Sequence, residues 1–181
     1  MILNLFRRKK SNSAIVTAQY EELTAAARQV VFYQSNNVPD TVLGRFDMMT
    51  IHMVLYLRAT RGAGESTPEL SQDVVDSFFE DIDHSIRELG IGDAGVPKRM
   101  KKLAKMFYGR AESYGNAIDA NDIDELATAL ARNIHPELVK NEDEQAPDMT
   151  ELAQYMIDTD QKLKVFDHAQ LIKGQLVFPR V

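Results

Sequence analysis

Apolar residues in this chain recur three and four positions apart, and most of the runs they form stop at an asparagine, a glycine or a proline. That period buries one face of a helix, and the period of two that a half-buried strand needs is almost absent. The expected fold class is therefore all-α, a single-domain bundle of about six helices with a short C-terminal extended segment. Ala14 to Gln34 carries Ala18, Leu23, Ala27, Val30 and Val31 and stops at Asn36, Asn37 and Pro39. Asp40 or Thr41 can cap a second helix, which runs through Phe46, Met49, Met53, Val54 and Leu57 to Gly62 and Gly64. It is apolar nearly all round, so it belongs at the centre of the bundle. Thr67 and Pro68 open a third helix, with Val75, Phe78, Phe79, Ile82, Ile86 and Leu89 on its apolar side and Gly90 at its end.

A long fourth helix is expected from Pro97 to Ile118, spanning about 30 Å at a rise of roughly 1.5 Å per residue. A fifth runs from Asp122 through Leu126, Leu130 and Ile134 to the breaker Pro136, and a weaker, Asp-rich sixth from Asp148 to Leu163. Residues 136 to 148 are acidic and polar, a surface loop and the strongest candidate for local disorder. Leu176 to Phe178, before Pro179, is the extended segment. In this division residues 1–13 form a flexible basic start and residues 14–181 the helical domain.

The chain has 181 residues and no cysteine, which removes disulfide staples, zinc ribbons and thiolate nucleophiles together. Its net charge of -6 argues against a general nucleic-acid binder, and no DNA partner is expected, but the charge is segregated and an overall balance can hide a local basic patch. Residues 65 to 93 hold nine acids and one base, Arg87, whereas residues 94 to 111 hold Lys98, Arg99, Lys101, Lys102, Lys105 and Arg110 and no acid. Residues 119 to 160 are acidic again, with twelve acids against Arg132 and Lys140.

Met1 to Lys10 places a short apolar run before four bases, the reverse of a secretory signal, and no window approaches the roughly 18 to 20 apolar residues of a transmembrane helix. The expected location is the cytoplasm, with Met1 to Lys10 available for peripheral contact with the inner membrane.

Catalytic and metal patterns are missing. Asp81-x-x-His84 has the spacing of one half of a di-iron bundle site, but no second copy accompanies it, and His84 is expected as an exposed helix residue. His52 sits in the apolar helix and is expected as a hydrogen-bonded core histidine. There is no Gly-x-Ser-x-Gly and no phosphate-binding Gly-x-x-x-x-Gly-Lys, and the glycines from Gly90 to Gly95 join two helices as a turn. No catalytic residue, metal or cofactor is expected, and the protein is read as non-enzymatic.

The helix from Pro97 separates its residues most cleanly. Met100, Leu103, Ala104, Phe107, Ala111, Tyr114 and Ile118 fall in one sector at 100° per residue, and Lys98, Lys101, Lys102 and Lys105 in the opposite one. In the preceding helix Asp73, Asp76, Glu80 and Asp83 form a stripe opposite Phe78, Ile82 and Leu89. An antiparallel hairpin of the two would set an acidic ridge beside a basic one. Both could be solvated faces; four lysines within two turns repel one another, which favours a partner surface.

The stretch Leu89-Gly90-Ile91-Gly92-Asp93-Ala94-Gly95-Val96-Pro97-Lys98-Arg99-Met100-Lys101-Lys102, continued by Met106-Phe107-Tyr108-Gly109-Arg110 and Tyr114, resembles the ubiquinol–cytochrome c chaperone family. The resemblance takes in Gly44-Arg45-Phe46-Asp47, Phe79-Glu80-Asp81-Ile82-Asp83 and Arg132-Asn133-Ile134, roughly residues 40–135. It implies an all-helical, non-enzymatic assembly factor, here a bacterial member, that binds newly made cytochrome b and assists biogenesis of the respiratory ubiquinol–cytochrome c oxidoreductase. Further partners implied are the ribosome or a second small assembly factor. Carried over as a recognition surface are Asp93, Lys98, Arg99, Lys102, Lys105, Tyr108 and Arg110. The alternative is a helical adaptor or scaffold that binds a soluble protein or RNA through its charged ridges.

Overall fold

A computed structural model of the chain describes residues 2–61, 64, 67–140, 145–171 and 173–181. Gly62, residues 141–144 of the expected acidic loop, and the side chains of Met1 to Lys10 lie outside the described residues. Among those described, the elements are α1 (Ile2–Ala27), α2 (Val30–Gln34), α3 (Val42–Thr60), α4 (Thr67–Glu88), α5 (Val96–Ala120), α6 (Ile123–Ile134), α7 (Pro136–Lys140), α8 (Thr150–Lys164) and α9 (His168–Leu171). Six of them have twelve residues or more and make the bundle. No strand occurs among the described residues, and no helix there is long and apolar enough to cross a membrane.

α3 is the central helix. Met48, Ile51, Met53, Leu55 and Tyr56 are sealed from solvent, and α1, α4, α5 and α8 pack around them. Its start is set locally: the Thr41 hydroxyl accepts the Gly44 N–H at 3.1 Å. Gly44 is required there, because a Cβ would lie 1.9 Å from the Pro39 carbonyl oxygen. Asp122 caps α6 in the same manner, accepting the Glu125 N–H at 2.9 Å. Asn121, in the left-handed region at φ 52°, closes α5.

Two expected boundaries and one expected core position change. The first helix breaks at Arg28 and Gln29, where Gln29 turns extended (φ -61°, ψ 131°), so that Val30 and Val31 belong to a separate α2. The C-terminal tail docks at this break: the Gln29 amide donates to the Pro179 carbonyl at 3.4 Å and accepts the Val181 N–H at 2.8 Å. Pro136 opens the short helix α7 inside the segment expected as loop, since proline suits a first helical position. Leu89 is 60% exposed and not a core residue, because it lies one residue past the end of α4 at an open groove. Leu176 and Phe178 are buried in an extended tail with the alternate residue, Val177, facing out.

Candidate functional site

The recognition residues carried by α5 divide in two. Lys98, Arg99, Lys102, Lys105 and Tyr108 are exposed, Tyr108 at 61%. Asp93 is exposed in the preceding turn, where its carboxylate meets Arg87 at 2.5 Å. The four lysines Lys98, Lys101, Lys102 and Lys105 have no acidic partner within ion-pair distance among the described residues. Phe107 and Tyr114 are buried, as their sector requires.

Arg110 departs from this surface: it points inward and is 4% exposed. Its Nη2 lies 2.6 Å from Asp47 Oδ1 and donates to the Asn133 carbonyl at 3.0 Å, and its guanidinium sits 5.3 Å from the Phe46 ring centroid. Burial pushes the Asp47 carboxyl up to about 7, with the Arg110 charge pulling the other way. Phe46 stacks on Phe78, Phe78 touches Phe107, and Phe107 meets Phe79 edge-on. Four segments of the family resemblance thus converge on one buried cluster. A signal for Arg110 was available, since it is spaced by three from Phe107 and by four from Tyr114, on the apolar sector of its helix.

An open apolar groove lies on the other side of α4. Val42, Leu43 and Leu89 line it at 59 to 60% exposure, with Phe46, Ile82 and Leu103 beneath, and it encloses about 370 Å³. Large apolar side chains grouped on a surface mark an interaction site more often than chance exposure does. Arg28 and Arg45 stand on its rim with Asp81 and Glu88. The basic ridge of α5 does not reach it; Leu103 is the residue that α5 supplies.

His52 is fully buried. Its Nδ1 faces the Met48 carbonyl at 2.8 Å and so must donate, which leaves Nε2 to accept the Tyr155 hydroxyl at 2.9 Å. Desolvation lowers its pKa to about 4, so the ring is neutral. Asp81 accepts the Tyr20 hydroxyl at 2.9 Å, and His84 is exposed in a shallow cleft with Asp76, Phe79, Glu80 and Asp83. No group of three or more potential metal ligands occurs among the described residues.

The geometry accompanies a clear likeness to known proteins. The crystal structure of the Cbp3 homolog from Brucella abortus superposes with a TM-score of 0.87 at 49% identity, over 99% of this chain and 97% of that one. The "ubiquinol-cytochrome-c reductase complex assembly factor 1" of Xenopus laevis is 25% identical over 103 residues, 57% of this chain and 51% of that protein. The chain thus spans about half the length of this curated relative. Residues 34–178 match the family described as ubiquinol-cytochrome C chaperone, a longer stretch than the motifs of residues 40–135. The chain belongs to the ubiquinol-cytochrome C chaperone family.

Proposed function

We propose that the protein is a non-enzymatic assembly chaperone that binds newly made cytochrome b and assists biogenesis of the ubiquinol–cytochrome c oxidoreductase. The observation that carries the reading is the groove between α3 and α4, where Val42, Leu43 and Leu89 stand exposed within a rim of both charges. An unassembled membrane helix offers an apolar stripe flanked by charged ends, and such a stripe docks in a groove through residues three and four apart. The four bases Arg7 to Lys10 fit a position at the membrane face, since each Lys or Arg near anionic lipid contributes about 1 kcal/mol. Family membership and the fold shared with the Brucella abortus protein support the same conclusion.

The test is a strain lacking the gene. Its membranes are expected to lose b-type haem absorbance belonging to the oxidoreductase, restored by the intact gene. Undiminished cytochrome b would remove the proposal.

A further inference from the structure

The outer face of the α4–α5 hairpin is a second surface, separate from the groove. Its seam is aromatic: Phe79 meets Phe107 at 5.6 Å, Phe107 meets Tyr108 at 5.2 Å, and Tyr108 is 61% exposed. On the α4 side of that seam Asp76 and Glu80 are exposed, in a cleft that also takes in Phe79 and Asp83. Asp76 accepts the Gln72 amide at 2.7 Å, and neither Asp76 nor Glu80 is within ion-pair distance of a base among the described residues. On the α5 side Lys98, Lys101, Lys102 and Lys105 are exposed and equally without acidic partners there. The hairpin therefore shows one ridge of each sign, on two antiparallel helices.

That arrangement restricts what can cover it. A membrane or an RNA presents negative charge throughout and would be drawn to the lysines but repelled by Asp76 and Glu80. A partner must itself carry the two signs side by side, and a copy of this same face does so. Rotation by half a turn about an axis along the seam lays each acidic ridge over the partner's basic ridge, and such a two-fold contact closes on itself. Gly109 lies on the lysine side of α5, and a Cβ there would meet nothing within 4 Å. Nothing in the monomer requires glycine at that exposed mid-helix position, where it weakens the helix. Close approach of another backbone would give a glycine a role there.

We propose that the α4–α5 face pairs with the same face of a second copy of this chain, acidic ridge on basic ridge. Exposed ion pairs are individually weak, so the association is modest and dissolves as salt rises.

The test is sedimentation velocity of the full chain from micromolar to near-millimolar concentration at low and high salt. The expected mass moves from 20.4 kDa toward twice that value at low salt and returns at high salt. The doubly reversed variants Lys101→Glu with Lys105→Glu, and Asp76→Lys with Glu80→Lys, are each expected to associate at least about tenfold more weakly. An equimolar mixture of the two recovers the association, because each then supplies the ridge that the other lacks. Circular dichroism of both variants establishes that they are folded. A wild type that stays monomeric throughout, or a mixture that stays monomeric, overturns the proposal, as does low-salt binding of RNA or anionic vesicles in place of self-association.

Discussion

Arg110 and Asp47 meet at 2.6 Å with their side chains 4% and 5% exposed, a contact of two ionisable groups between α5 and α3 inside the core. Removing one member of a buried pair leaves the other without compensation and costs about 3 to 5 kcal/mol. Arg110→Met is expected to lose an amount in that range in urea unfolding. Asp47→Leu combined with Arg110→Met should recover much of it, since replacing both partners by apolar groups is often neutral. A single Arg110→Met as stable as the wild type would show that the pair holds nothing together.

The same residues show what a chain of this kind discloses before it folds. The start of α3, the start of α6 and the burial of α3 follow from neighbours in sequence, Thr41 with Gly44, Asp122 with Glu125, and an apolar run without a polar side. Such features are legible because the interactions are local. The break at Gln29 is not, because its partners Pro179 and Val181 come from the far end of the chain. Charge along the chain groups Arg110 with its basic neighbours, whereas its angular position puts it on the core side with Phe107 and Tyr114. Charge along a sequence and direction around a helix are separate signals, and burial follows the second. The groove lies between α3 and the end of α4; Leu89 reads from its spacing as a core residue, and tertiary packing leaves it uncovered beside Val42 and Leu43.

His52 gives the fold a defined acid sensitivity. Its pKa falls from 6.5 to about 4 on burial, so the unfolded chain binds the proton first as pH drops. The stability due to the neutral ring is complete above 6.5 and is lost at up to roughly 1.4 kcal/mol per pH unit below it, until the folded value near 4 is reached. His52→Asn removes this titration, whatever it costs at neutral pH. Urea midpoints followed from pH 7 to pH 4.5 are therefore expected to fall more steeply for the wild type than for the variant, and parallel curves would contradict the assignment.

The C-terminal tail holds the α1–α2 break in place. Phe178 is 1% exposed with its ring 5.2 Å from that of His52, its N–H is accepted by Glu22 at 2.9 Å, and Arg180 pairs with the same carboxylate at 2.8 Å. Phe178→Ala is expected to cost about 3 to 5 kcal/mol, as for other buried aromatics. Arg180→Ala removes an ion pair with an arginine half exposed and should cost no more than about 1 kcal/mol. Thermal unfolding of the two variants separates the effects, and equal losses would mean that the ion pair and not the ring anchors the tail.

Substitutions at Leu43 and Leu89 are expected to separate the proposed client binding from stability. Both are more than half exposed, so Leu43→Asp with Leu89→Asp should change unfolding free energy by no more than about 1 kcal/mol. The same pair contributes two of the three most exposed apolar side chains of the groove, and two carboxylates there would oppose the entry of an apolar helix stripe. Co-purification of cytochrome b with the tagged variant is expected to fall at least about tenfold relative to wild type, the equivalent of 1.4 kcal/mol or more. Reversal of Lys101 and Lys105 lies on the other side of α4 and should leave that capture intact. Loss of capture from the lysine variant with retention in the leucine variant would move the client from the groove to the hairpin face.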